Sequence, residues 1–327
     1  MPRLLPLTAA AAATALLAAC GSSSGAGSGG EDGARLHIVT AFYPLEFATQ
    51  QVVDGVSGVS VETLASPGVD AHDLELTPRQ VGSLSTADLV VYSSGMQTAV
   101  DAAVADQAGD HSLDTSSVVD LVDRSGEESE GEHDEHDHEG DEHESDDHEG
   151  HDHGPLDPHF WLDPQRYAAA TDAIAEDLAA ADPDHAEAYL ANAEAFTTEL
   201  AELDTEFTET LASCEQDTLV TTHEAFGYLA DRYGLHQIGI TGISPDAEAS
   251  PARMAEITRE VADLKVPTIY AESSLGGDLA EVIADETGTE VLVLDPIESI
   301  TGDSAGGDYL EVMRANLEAL RQGQGCS

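Results

Sequence analysis

Four residues with metal-ligating side chains stand where an α/β chain gathers its ligands: His72, His159, His223 and Asp295. His223 closes the strand-like run TLVTT and Asp295 closes EVLVL, while His72 lies a short loop beyond VSVETL and His159 ends a long polar tract. In open α/β sheets ligands bind outside the carboxyl ends of the strands, so two lobes offering two groups each would meet at a cleft. Three neutral imidazoles and one carboxylate form a closed four-coordinate set suited to Zn2+. Each residue also admits an ordinary role. His72 could be a loop histidine at the surface, His159 could be packed beside Phe160 and Trp161, and His223 could cap a helix. Asp295-Pro296 could be a turn at a strand end. HEAFG is not the HExxH of zinc hydrolases. Nothing converges on His37, His111, His185 or His236, which are assigned to surface or structure.

The tract before His159 is GEESEGEHDEHDHEGDEHESDDHEGHDHG, residues 126–154. It contains seven histidines (His133, His136, His138, His143, His148, His151 and His153) and fifteen acids, with no Lys, Arg or apolar side chain. Such a segment cannot bury enough surface to offset its ordering entropy, so a mobile loop is expected. Its composition is that of a weak, multivalent binder of divalent cations. A plain solvated acidic loop is the simpler reading. The following PLDPHFWLDP turns apolar and aromatic, where a folded body must resume.

The 327 residues suffice for two domains, and an apolar fraction of 41% suffices for real cores. The formal charge is −54, from 11 bases against 65 acids. Without the tract's fifteen acids about −39 remains (50 acids against 11 bases), so the folded body is acidic too. This excludes nucleic acid and anionic lipid as expected partners and favours cations, although a salt-adapted surface would look the same.

Residues 1–19 form a targeting segment, with Arg3 ahead of the sixteen-residue apolar run Leu4–Ala19, too short for the roughly 20 residues of a spanning helix. The run ends LAACG, which resembles the lipobox of bacterial lipoproteins and implies cleavage before Cys20 and a diacylglycerol on its thiol. SSSGAGSGG then supplies a flexible tether, so residues 20–34 are read as a lipidated spacer. Cys214 and Cys326 remain, in a compartment that permits a disulfide. Closing so long a loop would remove roughly 4–5 kcal/mol of unfolded-state entropy. Two unrelated thiols are the alternative, and metal ligation is disfavoured because no CxxC spacing is present.

The elements that must position these groups alternate. Strands are expected at 36–42, 59–64, 88–92 and 117–122, with helices at 44–54, from Thr77-Pro78 and at 96–107. Asp163-Pro164 starts a helix of about sixteen residues. A longer helix from Asp182-Pro183 runs to about Ser213, and Tyr189, Phe196, Leu200, Leu203, Phe207 and Leu211 form its core-facing stripe. The alternation then resumes: strands at 218–222, 235–240, 268–271 and 290–294, and helices at 224–233, from Ser250-Pro251 and at about 308–320. The fold class is α/β: two parallel-sheet lobes joined by one long rigid helix, with a cleft between them.

GVDAHDLELTP around His72, DPHFWLDP around His159, THEAFGYLADRYGL around His223 and VLDPIESI around Asp295 together resemble the TroA/ZnuA-like solute-binding proteins of bacterial ABC importers. The resemblance covers Leu36 to Leu320, and the acidic histidine insert is typical of its zinc-transporting branch. It implies an N-terminal lobe over 35–182, a linking helix over 183–213 and a C-terminal lobe over 214–327. It further implies an extracytoplasmic, membrane-anchored monomer, at the cell surface or in a periplasm, that binds Zn2+ through His72, His159, His223 and Asp295. Zinc would pass to a membrane permease driven by a cytoplasmic ATPase, with no enzymatic step. Manganese binders of this family usually carry glutamate at position 223. Ala71 stands where the motif often has proline or an acid, so the fourth ligand is expected from Asp295 or a water. Manganese import and a surface zinc buffer or adhesin are the competing functions. A zinc hydrolase would need an open coordination position and a general base, and the sequence offers no candidate for either.

Overall fold

The computed structural model describes residues 36–124, 156–244, 249–272 and 278–327. The signal segment, Cys20, the tether and the seven-histidine tract lie outside the described residues.

The first sheet consists of β1 (Leu36–Thr40), β2 (Val59–Thr63), β3 (Leu89–Tyr92) and β4 (Ser112–Asp114), all parallel in the order β2-β1-β3-β4. Between these strands run α1 (Tyr43–Val52), α2 (Pro78–Leu84) and α3 (Thr98–Gln107). Ile38, Val39, Val90 and Val91 are fully buried, as the central strands of a parallel sheet covered on both faces must be. Thr77 and Gln80 form a reciprocal capping box at the start of α2, and Gln80 Nε2 donates to Leu64 O at 2.7 Å. That bond ties α2 back to the end of β2 and closes the loop that carries His72.

The expected strand at 117–122 forms five residues earlier. Asp114 accepts backbone N–H bonds from Ser94 and Ser116, and Thr115 Oγ1 donates to Tyr92 O at 2.9 Å, so polar side chains end the strand there.

Two long helices follow, α4 (Pro164–Ala181) and α5 (Ala186–Leu211). Asp163 caps α4 through Gln165 N at 2.9 Å, ahead of a first-turn proline. The 26 residues of α5 span about 39 Å at 1.5 Å per residue. Its buried stripe is the expected one, with Ala193 added. A single 3-10 turn, Pro183–His185, occupies the expected first turn.

The second sheet repeats the first: β5 (Thr218–Thr221), β6 (His236–Gly239), β7 (Thr268–Ala271) and β8 (Glu290–Val293), parallel in the order β6-β5-β7-β8. Its helices are α6 (Gly227–Tyr233), α7 (Pro251–Leu264), α8 (Asp278–Thr287) and α9 (Tyr309–Gly323). The helix expected from Glu224 begins at Gly227 instead, because Glu224 N is engaged by Gly242 O at 3.1 Å.

One hydrophobic cluster continues from the first sheet through α4 and α5 to α9. Tyr167 donates to Pro44 O at 2.6 Å, Tyr309 donates to Trp161 O at 2.6 Å, and the two tyrosine rings pack tilted at 48° with centroids 4.6 Å apart. The Cys214–Cys326 disulfide fastens the chain just after α5 to the C-terminal end. Among the described residues no helix is long and apolar enough to cross a membrane.

Candidate metal centre

Each sheet has its strand order reversed next to the first strand of its lobe, so crevices open at the carboxyl ends of β1/β3 and of β5/β7. His72 reaches the centre from the loop after β2. Asp70 accepts the His72 N–H at 2.8 Å, and Gln97 Nε2 donates to Ala71 O at 2.7 Å, which fixes the loop from both sides. Buried Ala71 is thus packing where an acid could have stood.

His159 sits in a tight turn before a 3-10 turn, Phe160–Leu162, and is fully buried. Asp157 Oδ1 accepts both its backbone N–H at 3.0 Å and its ring Nδ1 at 2.8 Å. Trp161, two residues on, donates through Nε1 to Pro296 O at 2.8 Å and so ties this segment to the one after β8.

His223 follows β5 after a single threonine. Its Nδ1 is bound by Glu272 Oε1, which stands one residue past β7 and also accepts from Thr222 Oγ1 at 2.8 Å. Both rings therefore have Nδ1 engaged by a carboxylate, which leaves Nε2 free to donate a lone pair to a metal.

The fourth group is Glu298, not Asp295. Glu298 Oε1 lies 3.5 Å from His72 Nε2, 3.4 Å from His159 Nε2 and 3.5 Å from His223 Nε2, and the two histidines His72 and His159 approach Nε2 to Nε2 at 3.2 Å. Asp295 is absent from the cluster because it builds the turn that presents Glu298. Its Oδ1 accepts from Ile297 N at 2.8 Å, and its backbone N and O pair with the Asn316 amide at 2.9 and 2.7 Å. Ile297 takes a left-handed φ of 60°, unusual for a β-branched residue and costing about 1–3 kcal/mol. That reversal swings the chain so that the carboxylate three residues beyond Asp295 faces the imidazoles. The sequence signal was present in VLDPIESI as a second acid after the strand, but strand-end placement alone favours the first.

These four donors lie within 4.8 Å of one another and form the one such group among the described residues. For metal–ligand bonds of about 2.05 Å a tetrahedron has edges of about 3.4 Å, and the four separations above, 3.2–3.5 Å, match it. His223 Nε2 and Glu298 Oε1 are buried without a hydrogen-bond partner, which fits them as metal donors.

Burial would raise the Glu298 carboxyl, but the facing rings of His159, His223 and His72 at 3.4–3.5 Å outweigh it and hold the group well below the usual carboxylate range. Burial would lower His223, yet the adjacent Glu272 charge pushes it up to about 10. His159 is likewise raised, with Asp157 overcoming burial. Asp157, Glu272 and Glu298 surround the three imidazoles with carboxylates, offset in part by Arg124, which is shared between Asp157 Oδ2 at 2.9 Å and Asp231 Oδ2 at 2.7 Å. The surplus of carboxylate favours a cation at the centre. His37, His111 and His185 pair locally with Glu62, Asp110 and Asp182, away from this centre.

Residues 38–323 match the family model of the zinc-uptake complex component A, periplasmic. The chain is 36% identical to the high-affinity zinc uptake system protein ZnuA of Bacillus subtilis over 316 residues, covering 95% of this chain and 94% of that one. Among solved structures, the laminin-binding protein Lmb of Streptococcus agalactiae, described as a bifunctional protein with adhesin and metal-transporting activity, superposes with a TM-score of 0.73 at 32% identity, covering 88% of this chain and 99% of that one. Zn(II)-bound AdcA of Streptococcus pneumoniae superposes with a TM-score of 0.70 at 33% identity, covering 88% of this chain and 57% of that longer one.

Proposed function

The chain belongs to the family of zinc-uptake complex component A proteins, and from that premise we propose that it captures Zn2+ outside the cytoplasm and delivers it to an ABC permease for import. The observation that carries this reading is the convergence of three imidazole Nε2 atoms and the Glu298 carboxylate within 4.8 Å of one another, with four of their six separations at 3.2–3.5 Å. His72, His159, His223 and Glu298 are the proposed zinc ligands. Two come from the first lobe and two from the second, so an ion held between them links the lobes.

Four protein donors would fill a four-coordinate zinc site without an activated water, which supports capture rather than catalysis. Imidazole at position 223 favours zinc over manganese by ligand softness. The lobe limits 35–182 and 214–327 and the linking helix over 183–213 are carried forward as proposals, as are lipidation at Cys20, membrane anchoring, a monomeric state and a permease with its cytoplasmic ATPase as partner. The seven tract histidines are proposed as weak accessory sites that raise the local zinc concentration.

Equilibrium competition between zinc and manganese on the purified protein tests the reading. One tight zinc that a large excess of manganese fails to displace is expected, and preferential retention of manganese would overturn it. Loss of the gene should raise the zinc requirement for growth; an unchanged requirement would favour a surface buffer or adhesin instead.

A further inference from the structure

Only eleven residues of this chain are Lys or Arg, against 65 acids, yet three of them meet at one place beside the metal centre: Arg124, Arg166 and Arg232. Arg124, 6% exposed, donates through Nε to Asp157 Oδ2 at 2.9 Å and through Nη2 to Asp231 Oδ2 at 2.7 Å. Arg232 reaches the other way, from α6 to Asp163 Oδ1 at 3.2 Å and to Asp204 Oδ2 of α5 at 2.6 Å. Asp157 and Asp163 bracket His159 in the chain. Asp231 and Arg232 are consecutive in α6, the helix that begins four residues after His223. The segment that carries His159 is thus joined to the helix that follows His223 twice, directly by Arg232–Asp163 and through Arg124, which bridges Asp157 and Asp231.

Further contacts tighten the junction. Tyr228 of α6 accepts from Val122 N at 2.8 Å and donates to Asp157 O at 2.7 Å. The guanidinium carbons of Arg124 and Arg166 stand 5.4 and 4.8 Å from its ring centroid. A Cβ placed on Gly227 would fall 2.6 Å from Arg124 Cζ, so the first residue of α6 has no side chain where the guanidinium lies.

We propose that Arg124, seconded by Arg232, is a positioning residue for zinc: it locks the Asp157 carboxylate that orients His159 and clamps that segment to α6, fixing His159 against His223. The proposal rests on the zinc reading. Arg124 touches no ligand atom and acts through Asp157 and Asp231. Its planar fork serves both carboxylates at once, a task a lysine ammonium cannot perform with the same geometry. Without the clamp the two imidazoles would still be present, but their spacing would no longer be held at that of the bound ion, and zinc would leave faster.

The test measures zinc release into excess chelator from the full chain, together with melting of the metal-free form, for wild type, Arg124→Gln, Arg124→Lys, Asp231→Asn, Gly227→Ala and the control Arg314→Gln. Arg314 pairs with Glu206 on the exposed face of the molecule. Outer-shell changes at metal sites typically cost about 10–100-fold, so Arg124→Gln should speed release at least about tenfold, with Arg124→Lys giving partial rescue. Asp231 is 61% exposed, so Asp231→Asn should speed release several-fold without shifting the melt of the metal-free protein. Gly227→Ala should act in the same direction, and Arg314→Gln should leave release unchanged. Adding Asp231→Asn to Arg124→Gln should have little further effect, because both break one chain of contacts. Release within about twofold of wild type in Asp231→Asn and in whichever Arg124 variant folds would overturn the clamp and leave Arg124 a purely structural residue. A wild-type chain with no tight zinc would overturn the zinc reading and the clamp with it.

Discussion

Replacing Glu298 with alanine removes the one carboxylate among the described residues whose oxygen faces all three imidazoles, at 3.4–3.5 Å from their Nε2 atoms. One negative charge beside the ion is removed, and one of four donors is lost to water. Closed four-ligand zinc sites bind with about 10–16 kcal/mol, so one donor accounts for about 3–4 kcal/mol. That corresponds to an affinity loss of about 10²–10³-fold. The assay is equilibrium competition against a chelator of known zinc affinity at 25 °C. Asp295→Asn is the matched control: it removes a neighbouring charge but keeps an oxygen for the Ile297 N–H, and affinity should stay within about threefold. Melting supplies an independent readout, since stabilisation by zinc follows the logarithm of ligand concentration over Kd. The increment should shrink in Glu298→Ala and persist in Asp295→Asn. The reverse pattern, tight zinc surviving in Glu298→Ala and vanishing in Asp295→Asn, would refute the ligand assignment.

Other consequences are open to equally direct measurement. Glu272 pushes His223 up to about 10 and Asp157 raises His159, so protons compete with zinc and affinity should rise with pH from 6.5 toward 10. Calorimetry in buffers of different ionisation enthalpy should show proton release on binding at pH 7, and buffer-independent heats would contradict it. For the metal-free fold the same raised pKa gives stability that is full below about 6.5, the unfolded value, and lost as pH rises through the folded one. Denaturant unfolding at pH 6 and pH 9 reads that sign. Reducing the Cys214–Cys326 bridge should lower the unfolding free energy by about 4–5 kcal/mol; an unchanged denaturation midpoint would contradict the loop-entropy account.

Much of this architecture was legible in the chain. Proline after Asp163 and Ser250 marks two helix starts, and the apolar stripe from Tyr189 to Leu211 marks the strut, because capping and periodicity are local physics. Three of the four clustered donors were legible as well, since His72, His159 and His223 stand near strand ends or at the re-entry into the folded body. The fourth was misplaced by three residues. The left-handed turn at Ile297 depends on a buried side chain and on the bonding of Asp295 to Asn316, 21 residues further on, which no local pattern announces. The carboxylates that orient the rings illustrate the same boundary. Asp157 lies two residues from its histidine and could be read from DPH, whereas Glu272 lies 49 residues from His223 and meets it only because β5 and β7 pair. The strand expected at 117–122 failed because four apolar residues there outweighed, on paper, the hydrogen bonding of Asp114 and Thr115 that ends β4 earlier.

The central claim is that one zinc is held between the lobes by His72, His159, His223 and Glu298, with the histidine tract as an accessory. Zinc stoichiometry and affinity on protein lacking residues 127–153, with and without His223→Ala, test it most directly. The account predicts one tight zinc per chain in the shortened protein and its loss on His223→Ala. A shortened protein with no tight zinc would contradict it and make the tract itself the binder.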